Sequence, residues 1–251
     1  MNLDLFDADI MLGMPSVPPD RETGFFADEE DITREMSRFS ISRAVVRHVH
    51  GREYSPVYGN RKLDSIQSES IEKCYTVLPP YTEEMGSEND IVERITSGGA
   101  RFVTFFPMTH HYFFSTHTCG SLLGLLAEAE IIVLIDNSEV DYERLYEICS
   151  SLPEIHIIVL GIDYRDNREV YLLLRETDNI YIGTSRFCGK GFIEDVAGKF
   201  GPQRLVFSSA MPLCSPGGPI ASLVYADICP DSKKMIAGNT MRFMLGEIHE
   251  S

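Results

Sequence analysis

Short, β-branched apolar runs recur along the chain between stretches in which apolar residues keep helical spacing. The runs are Leu3–Phe6, Arg43–Val46, Tyr75–Leu78, Phe102–Phe106, Ile131–Ile135, Ile155–Leu160, Ile180–Gly183 and Leu205–Phe207. Near-continuous apolar runs, rather than alternating ones, are what strands need when crossover helices cover both faces of a parallel sheet. The segments between them predict helices over Asp28–Phe39, Glu88–Ser97, Ser121–Glu130, Tyr142–Ser151, Arg168–Glu176, Phe192–Phe200, Pro219–Asp227 and Asp231–Gly246. Eight strand and helix units favour a closed barrel over an open sheet, so the predicted fold class is α/β, a single (β/α)8 TIM barrel.

Punctuation agrees with this reading. Acidic residues Asp28 to Asp31 sit at a helix start, and Asp231-Ser232 opens the last helix after Pro230, where carboxylates favour the helix dipole. Gly98-Gly99 and Gly201-Pro202 mark returns from helix to strand. The longest irregular stretches, Met14–Gly24, His48–Lys62, Pro107–Thr118 and Met211–Gly218, all follow strands. In a barrel of this kind that is the face on which sites are built.

Composition narrows the function classes. The 251 residues, 43% of them hydrophobic, suit one barrel domain over residues 1–251. Asp and Glu number 38 against 22 Lys and Arg, a net charge of −16 that works against phosphate backbones and anionic membranes. Neither nucleic acid nor a membrane is expected as a partner. The N-terminal residues lack a basic region followed by an apolar stretch, and no run reaches the ~18 apolar residues of a membrane span, so a cytoplasmic protein is expected. The cysteines (Cys74, Cys119, Cys149, Cys188, Cys214, Cys229) form no C-x-x-C pair, which argues for free thiols. Cys188 and Cys214 fall near strand ends and read either as nucleophiles or as inert thiols.

Two segments carry more specific information: Phe6-Asp-Ala-Asp-Ile-Met-Leu-Gly13 and Arg204-Leu-Val-Phe-Ser-Ser-Ala-Met-Pro212. They resemble the first and last strands of the amidohydrolase family of TIM barrels, which read Asp-x-His-x-His-x-Gly and Arg-Leu-Leu-Phe-Gly-Ser-Asp-x-Pro. Ser42-Arg-Ala-Val-Val46 with Tyr58-Gly-Asn60, Cys74-Tyr-Thr-Val-Leu-Pro-Pro80, Gly99-Ala-Arg-Phe-Val-Thr-Phe-Phe-Pro107, Asn179-Ile-Tyr-Ile-Gly-Thr-Ser185 and Ala237-Gly-Asn-Thr-Met-Arg-Phe-Met-Leu245 are similar to further family segments in the same order. The resemblance implies a metal-dependent hydrolase or decarboxylase acting on a small carboxylated or cyclic molecule. It also implies metal ligands, and those positions hold Asp9, Met11, Ile135 or Asp136, Gly161 or Ile162, and Ala210. A zinc site built as in that family cannot form from Met, Gly, Ile and Ala.

What remains at the strand ends are the candidates for chemistry. Asp9, His110, His111, Asp136 and Asp163 are candidate catalytic groups; His48, His50, Ser185, Arg186 and Ser209 are candidate substrate-binding groups. Asp9 and Asp136 read either as a carboxylate pair across the barrel, one pKa raised so that acid and base coexist, or as partners of Arg47 or Arg165. Asp9, His48 or His50, and Asp136 could rebuild a zinc or manganese site, whereas His48 and His50 also read as a solvated loop pair. His110 or His111 could act as general acid or base, or both could be ordinary loop residues. Ser208-Ser209 lacks the elbow turn that acyl-serine chemistry needs. Cys214-Ser-Pro-Gly-Gly218 reads either as an anion cradle before a helix or as a plain loop. Two functions stay open: a hydrolase or decarboxylase-like enzyme with a degenerate or rebuilt site, and a catalytically silent relative that binds a small molecule or a protein partner. Oligomeric state stays open; barrels of this kind often pair through outer helices, and a symmetric homodimer is the commonest assembly.

Overall fold

The computed structural model describes residues 3–17, 24–79, 84–186, 189 and 191–248; Cys188 and part of the loop Met14–Gly24 fall outside them. Eight strands, β1 (Leu5–Leu12), β2 (Ile41–His48), β3 (Ile71–Thr76), β4 (Phe102–Phe105), β5 (Ile132–Asp136), β6 (Ile157–Leu160), β7 (Ile180–Gly183) and β8 (Leu205–Val206), pair in parallel in chain order. The barrel closes just past the short β8, where Ala8 N donates to Phe207 O at 2.9 Å and Met11 N to Met211 O at 2.8 Å. The fold is the (β/α)8 barrel that the strand count implies.

Helices α1 (Glu29–Arg38), α2 (Val49–Glu53), α3 (Pro56–Leu63), α4 (Glu88–Ser97), α5 (Thr116–Glu128), α6 (Tyr142–Ser151), α7 (Asn167–Glu176) and α8 (Phe192–Phe200) lie between the strands, and α9 (Gly217–Tyr225) follows β8. The chain ends on α10 (Pro230–Lys234) and α11 (Thr240–Met244), joined by a π-helical turn over Met235–Asn239. Among the described residues no helix is long and apolar enough to cross a membrane. The apolar surface divides into two clusters. One lies between strands and helices, with Val46, Val103, Val133 and Val159 facing outward. The other fills the barrel, where Phe6, Val45, Cys74, Phe102 and Leu134 meet Met241, Met244 and Leu245 of the last helix. That helix therefore seals the end of the barrel opposite the site, and each strand is apolar on both faces for this reason.

The elements depart from the sequence pattern where local chemistry competes with periodicity. Strand β1 runs on to Leu12 through two aspartates, because one oxygen of Asp7 accepts backbone N–H groups and Asp9 has an arginine partner. The stretch His48–Lys62, expected to be irregular, holds α2 and α3. They are too short to show an apolar period, and their starts are set by caps: His48 Nδ1 accepts from His50 N at 3.1 Å, and Ser55 Oγ accepts from Tyr58 N at 3.3 Å before Pro56. Ser115 starts α5 at Thr116 rather than at Ser121, shortening the predicted loop before it. The last helix, expected unbroken over Asp231–Gly246, is interrupted by the π-helical turn. There Gly238 passes so close to β1 that an added Cβ would lie 2.7 Å from Asp4 O.

Candidate functional site

The C-terminal ends of the strands surround a cavity of about 260 Å³ whose lining includes Asp9, Arg47, Arg52, Asp136, Asp163 and Arg186. Its floor is an ion triad. Arg47 leaves the end of β2 and reaches inward, its Nη1 2.7 Å from Asp136 Oδ2 on β5, while its Nη2 donates to Asp9 on β1 and lies 3.3 Å from Asp136 Oδ1. The side chains of Arg47 and Asp9 are 4% and 8% exposed, against 19% for Asp136, so the triad is buried with one carboxylate edge open to the cavity. Of the two arginines read as partners for Asp9 and Asp136, the one that pairs with both is Arg47.

Burial works against each charge of the triad. For Arg47 that penalty is more than offset by Asp136 and Asp9, which together hold the guanidinium well above its ordinary pKa. For Asp9, burial raises the carboxyl above the ordinary range against the opposing pull of Arg47, and the nearby Asp136 adds to the rise. One cation faces two carboxylates, so with both ionised the cluster carries one excess negative charge. Ser185 Oγ sits close enough to Asp9 to favour its charged form, though short of hydrogen-bond geometry. The Arg47 guanidinium also lies 5.9 Å from the Phe106 ring centroid, and its Nε is buried without an acceptor.

A bulge in β1 between Asp7 and Ile10 aims Asp9 into this position. Asp7 braces it: its Oδ1 accepts from Asp9 N at 3.0 Å and from Ser209 N at 2.9 Å, while Oδ2 is buried without a partner. Burial is the main cause that lifts the Asp7 carboxyl to about 7. Ser209 has no exposure, and its Oγ accepts from Met211 N at 3.1 Å, so it serves the barrel seam. Ser185 is likewise fully buried, its N donating to Ser208 Oγ at 2.8 Å. Burial pushes the thiol of Cys74, beneath the triad, far up, which keeps it protonated and inert.

The four candidate histidines stand outside the cavity lining. His48 is 6% exposed, and burial first, then His50, lowers its pKa to about 4, which keeps the ring neutral and its Nδ1 free to cap α2. His50 stacks on Tyr58 with centroids 5.5 Å apart. His110 Nε2 contacts Arg52 O at 2.9 Å, and His111 sits exposed in a turn with φ +57. Asp163 reaches the cavity, its Oδ1 also accepting from Arg165 N at 2.7 Å. Arg186, exposed on a turn with φ +61 after β7, has no hydrogen-bond or ion-pair partner among the described residues. The segment Cys214–Gly218 runs into α9, which starts at Gly217, with Ser215 Oγ 3.4 Å from Gly217 N.

Two residues of the site were not singled out from the sequence. Arg52, on α2, lines the cavity and pairs at 3.1 Å with Glu139, which is 2% exposed and also accepts from Thr109 N at 3.0 Å and Thr109 Oγ1 at 2.6 Å. This buried carboxylate ties the loop after β4 to α2 and to the turn after β5. The readable signal was an acidic residue directly after a strand end, in Asn137-Ser-Glu139.

The residues at the mouth do not fit the zinc or manganese ion that the sequence resemblance implies. Met11, Gly161 and Ala210 line the same cavity and supply no hard donor, His48 spends Nδ1 on a backbone N–H, and both triad carboxylates face a guanidinium. Among the described residues no group of three or more His, Cys, Asp or Glu side chains is placed to hold a metal.

No protein-family model matches the chain, and neither does any curated protein. Solved structures do. A protein from Pseudomonas putida named as a 2-pyrone-4,6-dicarboxylic acid hydrolase superposes with a TM-score of 0.71 at 13% identity, covering 100% of both chains. Amidohydrolase 2 from Bifidobacterium longum subsp. infantis gives 0.67 at 14% identity, over 98% of this chain and 99% of the other. A dihydroxybenzoic acid decarboxylase from Polaromonas, solved with bound manganese and the inhibitor 2-nitroresorcinol, gives 0.75 at 10% identity, over 98% of this chain and 97% of the other. One of these neighbours bears the name of the family that the strand-end motifs resemble, and what the chain shares with all three at this identity is the (β/α)8 barrel.

Proposed function

We propose that this chain is an amidohydrolase-like protein, one domain over residues 1–251, that binds a small carboxylated molecule at the barrel mouth without a resident divalent metal. The observation that carries the reading is Arg186: an exposed guanidinium, without a hydrogen-bond or ion-pair partner among the described residues, on the rim of a cavity that holds Asp136 and Asp163. A guanidinium recognises a carboxylate bidentately, and the two aspartates offer acceptors to a hydroxyl or amine on the same ligand. About 260 Å³ is below the usual range for drug-sized ligands and suits a small metabolite. The neighbours named as hydrolases and decarboxylases of carboxylated aromatic or pyrone compounds support the same ligand class. Four potential nucleophiles at the strand ends are sealed: Ser185, Ser208 and Ser209 have no exposure, and Cys74 is buried and protonated.

The test is calorimetric titration with citrate, 2,6-dihydroxybenzoate and a pyrone dicarboxylate. At least one should bind, Arg186→Ala should weaken it by about 1.5–3 kcal/mol, and Arg186→Lys should recover part of the loss. If none binds, or if Arg186→Ala leaves affinity unchanged, the reading is wrong. A catalytic version, in which Asp9 or Asp136 moves a proton, is favoured by the raised proton affinity of Asp9 beside the cavity. Turnover of such compounds that is lost in Asp136→Asn would establish it.

A further inference from the structure

We propose that Arg47 is the resident cation of this mouth: its guanidinium bridges the carboxylates that a divalent ion would otherwise bridge, and by doing so excludes such an ion. The strands β1 and β5 stand opposite each other in an eight-strand barrel, and their terminal carboxylates, Asp9 and Asp136, converge on one point. That point is filled from β2 by a side chain long enough to reach both, with three N–H to oxygen contacts and 4% exposure.

Two physical arguments make the occupants exclusive. A divalent zinc or manganese ion draws carboxylate oxygens to within about 2.0–2.2 Å of its centre, a position already filled by the planar guanidinium. Arg47 cannot step aside by losing its proton, because a guanidinium stays protonated in proteins. The substitution of cations changes chemistry as well as charge. A guanidinium can hold and orient carboxylates, but it has no open coordination position and cannot lower the pKa of a bound water. The excess negative charge of the triad is tolerated because Asp136 keeps an edge open to the cavity.

The inference is independent of whether a carboxylated ligand binds, and metal uptake tests it directly. Wild-type protein is dialysed against MnCl2 or ZnCl2, its metal content measured, and its melting temperature recorded with and without metal or EDTA, beside Arg47→Met. The wild type should retain no stoichiometric metal and show no shift. Arg47→Met, which leaves two facing carboxylates, should melt lower at neutral pH, take up one ion per chain, and regain melting temperature with added metal. Adding Asp9→Asn to that variant should abolish both gains. Where Arg47→Met does not fold, Arg47→Gln is the uncharged replacement that keeps a donor. Stoichiometric metal on the wild type, lost with Asp9→Asn, overturns the proposal; so does a folded Arg47→Met or Arg47→Gln that gains neither metal nor metal-dependent stability.

Discussion

Ser209 N donates to Asp7 Oδ1 at 2.9 Å, so a fully buried carboxyl joins the end of the last strand to the first. The same oxygen accepts from Asp9 N, which makes Asp7 the brace behind the ion triad. Its placement explains why an aspartate is tolerated inside a strand with no exposure: one oxygen is satisfied twice, and the other carries a proton over much of the pH range.

This gives a pH prediction of definite sign. Burial raises the Asp7 carboxyl from 3.8 to about 7, so the folded state holds a proton that the unfolded chain has already lost. The stability it contributes is complete below the ordinary carboxyl range and declines as pH rises toward about 7, by at most about 1.4 kcal/mol per pH unit. Asp7→Asn, a neutral shape mimic, should remove that decline and be more stable than wild type at pH ~8. Urea denaturation of both proteins at several pH values checks it; parallel pH profiles would show that Asp7 is ionised throughout.

His48 predicts a loss at the other end of the scale. Its folded pKa lies at about 4 against an ordinary 6.5, so its contribution is present above 6.5 and is lost as pH falls toward 4. Protonation at Nδ1 also removes the acceptor for His50 N. Asn at this position keeps a capping oxygen without titrating, so His48→Asn should be less acid-sensitive than wild type in thermal melts between pH 6.5 and 4.

The charge imbalance of the triad predicts unequal costs. Removing Arg47 strands two buried carboxylates and should cost about 3–5 kcal/mol at neutral pH without metal. Asp136→Asn instead leaves one cation with one carboxylate and should cost less than the removal of Arg47. Chemical denaturation of the two variants tests the ordering, and equal losses would contradict the excess-charge account.

Asn60 predicts a defect at the other side of the mouth. Its Oδ1 accepts from Thr76 N at 2.7 Å and its Nδ2 donates to Thr76 O at 2.9 Å, so it acts as a strand partner for the end of β3. Asn60→Ala should cost about 1–3 kcal/mol through two unsatisfied backbone groups. Gly59→Ala should be at least as damaging, because its Cβ would sit 2.3 Å from Gly51 N and separate α2 from α3. Melting temperatures of both variants measure this.

Much of this was legible along the chain. The strand runs followed from local β-branched composition, and the barrel followed from their number and their lack of alternation. Arg204, in the last-strand motif, is a structural residue: it is 6% exposed, with Nε on Ile180 O at 2.9 Å and Nη2 on Thr177 O at 2.7 Å. Segments whose form rests on a cap or a close approach, such as α2, α3 and the π-helical turn, left no periodic trace and were misread or smoothed over.

The sequence by itself determined the fold class, because that rests on which residue types occur in which order. The tertiary structure decided which side chains meet at the barrel mouth. Asp9, Arg47 and Asp136 lie 38 and 89 positions apart and meet only because β1, β2 and β5 end at one mouth. A side chain's electrostatic partner depends on distance through space, which residue order does not encode.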